Sequence, residues 1–348
     1  MRDWDLGEGK LLNPEDSFAA RRAFQALLAR VNSGGGGRLT EVASLYSADV
    51  AWHGSRPLGD CNGSVAVVRR VWEPLIAAFP DVERRDEILV AGTWREQSWV
   101  AATGHYIGRF RGDWLGIPAH GRVATLRFGE FSRVRAGVVC EAYVIFDILD
   151  LIRQAGVWPL APPLGNSDRV PAPATQDGLT RPARDQAESS LSLQLVEAMI
   201  AGLMRFDRKS LDSMDQSRFW HPDFTWYGPA GIGTCRGQDD YRRVHQRPFL
   251  TAFPDRVGGD HKCRIAEGAY VASTGWPSIR ATHSGSGFLG LPATQKRVTM
   301  RVMDFWRREG DLLRENWVFI DLLDLLLQMG IDVLGREASH PRRGDGRP

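Results

Sequence analysis

The sequence predicts an α+β protein built as two tandem copies of one domain. Three observations carry this. The chain is long enough for two cores, it matches itself at a single offset, and each copy runs from helices into strands. With 348 residues and 43% hydrophobic composition, the length prior is two domains of ~150 residues, each able to bury a core. The 44 basic and 42 acidic residues are spread along the chain and leave a net charge of +2, so no strong field for nucleic acid or a membrane surface is expected. The four cysteines (Cys61, Cys140, Cys235, Cys263) show neither CxxC nor zinc spacing, and the opening MRDWDLGEGK has no apolar signal core. A reduced, cytoplasmic setting follows as the expectation.

The offset of the repeat is 174 residues. Trp52 falls on Trp226, and Gly54 on Gly228. GDCNG (59–63) falls on GTCRG (233–237), AFPD (78–81) on AFPD (252–255), and LGIPA (115–119) on LGLPA (289–293). Arg127, Glu141, Asp147, Asp150, Gln154 and Gly156 fall on Arg301, Glu315, Asp321, Asp324, Gln328 and Gly330. A period this long marks a duplicated domain rather than a solenoid unit. The first domain is placed at 12–160 and the second at 188–335. The Pro-rich stretch 161–187 is read as a linker and 336–348 as a disordered tail.

Within each copy an amphipathic helix comes first, over Phe18 to Val31 and over Leu191 to Phe206. An aromatic strand follows, LYSADVAWHG or FWHPDFTWYG. A helix after the GxCxG turn ends at FPD, several strands come next, and a leucine-rich helix closes the copy. Helices first and a mainly antiparallel sheet after is the α+β order.

The last two strands carry the acids. In KRVTMRVMDFWRREGDLLRENWVFID (296–321), Glu309-Gly310 fits a two-residue hairpin turn. That register sets Asp304 opposite Glu315, with Trp317, Phe319 and Asp321 on the same face. In the first copy, a turn at Arg135-Ala136 sets Glu130 opposite Glu141. Opposed carboxylates in an apolar surround hold one proton to higher pH, which places an acid beside a base. Other readings stand beside this one: a solvent-exposed pair, a pair bridged by Arg127 or Arg301, or a register one residue different, which exchanges the faces of a strand. Asp147 and Asp321 sit where strand hands over to helix and also read as N-caps.

The order helix, aromatic strand, FPD, LGxPA, hairpin and ExWxxxDxxxLLxQxG resembles the SnoaL-like polyketide (ester) cyclases of the nuclear-transport-factor-two-like superfamily, which includes ketosteroid isomerase. The resemblance covers about 38–160 and 212–334. It implies two cone-shaped domains, each a curved sheet wrapped around helices with an apolar pocket. The apolar residues on the face away from the pocket (Met303, Phe305 and Val318; Phe131, Val144 and Phe146) need covering, and packing the two sheets on each other inside one chain, as a pseudo-dimer that mimics the homodimer common in this superfamily, is the economical solution; a homodimer is the other arrangement. The resemblance also implies acid/base chemistry without a metal or organic cofactor, typified by an intramolecular aldol closure. The catalytic candidates carried onto this chain are Asp304, Glu315 and Asp321, with Glu130, Glu141 and Asp147 as first-copy equivalents. Gly54 and Gly228 occupy the position where an isomerase would carry its base, a departure from the isomerase pattern.

Candidate pocket residues are Trp226, Tyr227, Trp276, Trp317 and Phe319, and in the first copy His53, His105 and Tyr143. For each, a packed side chain that is merely satisfied is the competing reading. GSGFLG (285–290) matches GxGxxG but leads into Leu291-Pro292 rather than a helix, which excludes a dinucleotide fingerprint. The expected function is an acid/base enzyme acting on a small apolar carbonyl-bearing molecule: cyclase, isomerase or lyase. A non-catalytic ligand-binding or structural protein of the same fold is the alternative. The expected partner is a small apolar organic ligand, with no nucleic acid and no membrane.

Overall fold

The computed structural model describes residues 20–22, 24–26, 28–29, 32, 38–179 and 185–337. The described residues from Ala20 to Asn32 are helical; the rest of the helix expected over Phe18 to Val31 lies outside them, as do 338–348 of the expected tail. Residues Val333–Glu337 form a short helix.

In the first repeat the strands are β1 (Tyr46–Gly54), β2 (Asp60–Asn62), β3 (Glu83–Trp94), β4 (Gln97–Arg109), β5 (Val123–Arg135) and β6 (Val138–Phe146). They form one sheet in the order β2-β1-β6-β5-β4-β3. The second repeat has β7 (Trp220–Tyr227), β8 (Thr234–Arg236), β9 (Val257–Gly258), β10 (His261–Glu267), β11 (Tyr270–Thr282), β12 (Arg297–Glu309) and β13 (Leu312–Ile320). Their order is β10-β11-β12-β13-β7-β8, with β9 on β11. All pairings are antiparallel except β1 with β6 and β7 with β13, where a strand returns across the helices to pair in parallel.

Helices fill the concave side of each sheet. The helix after the GxCxG turn is built the same way twice. In the first repeat it runs Ser64–Val67, a π turn Val68–Trp72, then Glu73–Ala78; in the second, Gly237–Tyr241, Arg242–Gln246, then Arg247–Ala252. Pro74 and Pro248 explain the widened turn. Each removes a backbone N–H inside a continuous helix, and the preceding turn adjusts its bonding to suit. The helix Gln186–Leu203 starts on Asp185, whose side chain accepts from the Ala187 N–H, so the second repeat begins earlier in the chain than its apolar period indicates.

The two sheets pack on each other through their convex faces, making one chain a pseudo-dimer. Ile88, Val90, Phe131 and Ile145 meet Ile265, Met303, Phe305 and Phe319 in a core of their own, separate from the core inside the cones. Of the residues expected to cover this face, Met303, Phe305 and Phe131 lie here, whereas Val318, Val144 and Phe146 belong to the cone interiors. Close approach is possible because Gly129 stands where the second repeat has Met303: a Cβ on Gly129 would lie 3.0 Å from the Phe319 ring.

The linker is a strap rather than a free spacer. Asn166 bridges to Thr234, the indole N–H of Trp317 donates to the Pro171 carbonyl, and the Gly178 carbonyl accepts from Leu89 of β3. Val170 is buried in the inter-sheet core. Polar composition marked this stretch as linker, but its backbone groups are used by both repeats.

Candidate functional site

The hairpin register differs from the one expected, and the difference moves the site. The turn residues are Gly310-Asp311 and Ala136-Gly137, one position later than expected; Ala136 and Gly137 both have positive φ, at 49° and 79°. Two ladder pairs beyond the turn, a β-bulge interrupts each hairpin, between Arg307 and Arg308 and between Arg133 and Val134. A bulge adds one residue to one strand, so beyond it every side chain changes face relative to a regular ladder. Asp304 therefore pairs with Val318, and Glu315 with Arg307; Glu130 pairs with Val144, and Glu141 with Arg133. The expected carboxylate pairs do not form. Asp304 and Glu130 point into the cones, while Glu315 and Glu141 lie on the opposite face.

Inside the second cone is a cavity of about 230 Å³, walled mostly by apolar side chains. The inner face of β12 and β13 contributes Met300, Val302, Asp304, Trp306, Asn316, Val318 and Ile320. Met199 and Leu203 come from the helix Gln186–Leu203; Tyr241, His245, Gln246 and Phe249 come from the helix carrying the π turn. Trp226 of β7 stacks on His245, with ring centroids 4.4 Å apart. Its ring folds over Gly228, where a Cβ would lie 2.1 Å away; glycine at the isomerase-base position is the room that this indole needs.

Asp304 is the carboxylate of this cavity. Its surface faces the cavity while protein surrounds it, and burial pushes its carboxyl up to about 7. Two groups act against burial: Asn316 Nδ2 donates to Oδ1 at 3.3 Å, and the Arg264 guanidinium lies nearby. The same Asn316 amide donates to the Phe305 carbonyl at 3.1 Å, which fixes its orientation. Arg264 is itself engaged, with Glu197 at 3.4 Å and with the Ser273 hydroxyl at 3.4 Å. Burial holds His245 and His261 down at about 3, so both imidazoles are neutral at ordinary pH.

Glu315 is held in a separate network between the sheets and the linker. Arg307 donates to it through Nε, Tyr227 donates its hydroxyl at 3.1 Å, and the Ala174 N–H approaches both oxygens at 3.3 Å. Tyr227 stacks on Trp317 at 5.2 Å, and Phe319 takes the Arg127 guanidinium over its ring at 4.1 Å. Tyr227, Trp317 and Phe319 thus line the inter-sheet core and not the cavity: the bulge turned Trp317 and Phe319 there, and Tyr227 follows Trp226, which takes the cavity face of β7. Trp276 packs against the same core, under the Arg301 guanidinium at 4.6 Å. Asp321 caps the helix Leu322–Gln328, accepting from the Asp324 N–H, and also accepts from Arg56 of the other repeat. Burial with Asp324 close by pushes it up to about 6.

The first repeat uses its equivalents differently. Glu130 sits in its cone at the Asp304 position but is paired with Arg84 at 2.5 Å and accepts the Ser132 hydroxyl at 2.6 Å. Arg84 is clamped further by Asp86 at 2.9 Å and lies over Phe128 at 4.2 Å. Glu141 pairs with Arg133 at 2.8 Å and accepts the Tyr143 hydroxyl at 2.7 Å. His53 stacks on Tyr143 at 4.7 Å, and His105 contacts Glu87 at 3.2 Å. Asp147 accepts from the Ala230 N–H at 2.9 Å, and burial with Asp150 nearby pushes it up to about 6. His53, His105, Glu141, Tyr143 and Asp147 are spread over the outer face and its rim and do not converge with Glu130.

Among the described residues no group of three or more His, Cys, Asp or Glu side chains is placed to hold a metal ion, and no helix is long and apolar enough to cross a membrane. Asn316, Ser273, Arg264, His245 and Gln246 were missed as cavity residues. Asn316 fell on the wrong face with its strand. For the others the usable signal was the repeat itself, read position by position.

The sequence profile of the SnoaL-like polyketide cyclases matches residues 20–155 and again 197–329, and the chain belongs to this family as a tandem duplication. No curated protein matches the chain. Among solved structures it is similar to TsrD from Streptomyces laurentii (25% identity, 42% of this chain and 98% of that one, TM-score 0.31). It is similar to IdmH from Streptomyces antibioticus (24%, 42% and 100%, TM-score 0.32). A third is an NTF2-like protein from Burkholderia xenovorans (16%, 40% and 97%, TM-score 0.32).

Proposed function

We propose that the second cone is the working site of a cofactor-independent acid/base enzyme that takes a small, apolar, carbonyl-bearing molecule, with cyclase-like aldol closure as the reaction type. The observation that carries this is Asp304: one carboxylate, unpaired by any cation in direct contact, in an apolar cavity, with a proton affinity near neutrality. A group at about 7 is present in both protonation states at neutral pH, which suits a catalyst that must take a proton and return it. Family membership supports a small-molecule, cyclase-like role.

The step balances without an outside reagent. Asp304 as carboxylate removes a proton from the carbon next to a carbonyl. The resulting enolate attacks a second carbonyl carbon of the same molecule, forming one C–C bond. The alkoxide so produced takes the proton back from Asp304. Asn316 acts as a positioning residue: it holds Oδ1 of Asp304 and is itself held by the Phe305 carbonyl. In the first cone, Arg84 engages Glu130 directly, and we assign that repeat a supporting role.

The test uses 2-tetralone in D₂O and follows loss of its α-proton signals by NMR. Wild type should accelerate exchange, with a rate that rises as pH passes through about 7, where Asp304 becomes the base. Asp304→Asn should reduce the enzymatic rate about a hundredfold or more, the usual weight of a general base. Exchange unaffected by Asp304→Asn would overturn the assignment. Saturable binding of 2-tetralone with no accelerated exchange would favour the non-catalytic binding reading.

A further inference from the structure

The cavity contains polar atoms that the proposed proton transfer does not use. Gln246 is 3% exposed, and neither its amide nitrogen nor its amide oxygen has a hydrogen-bond partner. Beside it on the π turn, His245 Nδ1 is also buried without a partner, and so is the Trp306 indole nitrogen on β12. All three residues line the cavity. Leaving a buried amide unsatisfied costs about 1–3 kcal/mol, and an apolar side chain at the same place would avoid that cost.

The internal repeat shows what the fold does when no ligand group has to be met. The residue 174 positions before Gln246 is Trp72, on the same π turn of the first cone. Its indole N–H donates to the Tyr46 hydroxyl at 3.2 Å, and both residues are buried. His245 replaces Val71, also buried. The backbone is the same in both halves, yet one carries a satisfied or apolar pair and the other carries bare donors and acceptors.

We infer that the π turn of the second cone is a recognition station for a hydroxyl of the ligand, phenolic or enolic, with Gln246 as its main contact and His245 Nδ1 as an acceptor beside it. An amide offers one donor and one acceptor, and a neutral imidazole nitrogen that carries no proton offers an acceptor. A hydroxyl can accept from the amide N–H and donate its one proton to the amide oxygen or to the imidazole nitrogen; an ether can only accept. The inference rests on the second cone being the ligand site and deepens that reading: the substrate is a hydroxylated, otherwise apolar carbonyl compound. Gln246 is a specificity residue in this account, not a catalytic one.

Two matched probes test it on the full chain: 1-naphthol and 1-methoxynaphthalene, titrated by calorimetry. Wild type should prefer the naphthol by about tenfold, one good neutral hydrogen bond's worth. Gln246→Met, close in volume and without the amide, should bring the preference to near unity while 1-methoxynaphthalene binds as before, and should raise Tm in the empty protein. Asp304→Asn should keep the preference; this separates recognition from proton transfer, so loss of tetralone exchange with the naphthol preference intact counts for the station alone. Equal affinity of wild type for the two probes, no saturable binding of either, or an unchanged preference in Gln246→Met would overturn it. A lowered Tm in Gln246→Met would show the amide to be satisfied by internal water and would count against it as well.

Discussion

The carboxylate of Asp321 accepts a hydrogen bond from the backbone N–H of Arg56, across the boundary between the repeats, at 3.0 Å. Asp147 does the same with the N–H of Ala230 at 2.9 Å. Both partners of the second bond are displaced from those of the first by 174 residues, so one contact is made twice about a pseudo-two-fold axis. This is the signature of an isologous interface, here inside a single chain. Asp321 serves its own helix and the other repeat at once; Asp147, at the same position, makes the cross-repeat bond without a side-chain cap bond to its own helix.

Asp321→Ala should therefore lose a helix cap and strand the Arg56 N–H together, at a cost of about 2 kcal/mol. Asp321→Asn keeps an acceptor for both and should cost less. Urea unfolding of the two variants checks this. Equal midpoints would show that the cross-repeat bond contributes nothing.

The pH dependence has a definite sign. Asp304 at about 7, and Asp147 and Asp321 at about 6, all lie above their ordinary value of 3.8. Between about pH 4 and 7 the folded chain therefore holds protons that the unfolded chain has released. This contribution to stability is complete below about pH 4 and lost as pH rises through 6 to 7. Asp304→Asn removes the largest part of it. The variant should gain more stability over wild type at pH 8 than at pH 5, by a few kcal/mol at ~1.4 per pKa unit. A gain that is the same at both pH values would contradict the assignment.

Glu315→Gln should behave as a structural lesion. Arg307, buried with it, would lose its main carboxylate and keep only the half-exposed Glu309. Breaking a buried pair costs about 3–5 kcal/mol, and Glu309 offsets part of that. Proton exchange from 2-tetralone, measured well below the lowered Tm, should stay at the wild-type rate. A variant of normal stability with abolished exchange would return Glu315 to the catalytic list.

Phe305 is fully buried between the sheets, 5.5 Å from Phe131 and 6.3 Å from Phe319 by ring centroids. Phe305→Ala should cost about 3–5 kcal/mol. Since the core it leaves is shared, both repeats should melt together at the lower temperature. Two separate calorimetric transitions, only one of them moved, would show the halves to be energetically independent.

Much of this architecture could be read from the chain. The 174-residue offset marked the tandem duplication, and the aromatic stretches LYSADVAWHG and FWHPDFTWYG do contain strands, β1 and β7. The need to cover Met303, Phe305 and Phe131 pointed to sheets packed within one chain. What could not be read was which face each acid takes. That depended on one extra residue in each hairpin, Arg314 on β13 and Cys140 on β6; the later turn alone would have left the faces as expected. Nothing in the local composition marks such a bulge; Arg, Glu and Leu fit either face at a hairpin end. Once Asp304 is known to face the cone, position-by-position comparison becomes informative: Asn316 stands where the first repeat buries Ala142, and Gln246 where it buries Trp72.

The Arg84–Glu130 pair has a consequence for how such a protein changes over time. A homodimer inherits every substitution twice, so a counterion placed against the acid of one cone appears in the other as well and silences both. Joining the copies in one chain breaks that bond. An arginine can enter the first half alone, where it ties β3 to β5 through Glu130, while the second half keeps an acid with no cation in direct contact. Duplication followed by fusion thus lets one half take an ion pair inside its cone that the other half does not share. The other keeps a buried acid without that counterion, and its cavity lining can change without imposing the same change on its twin.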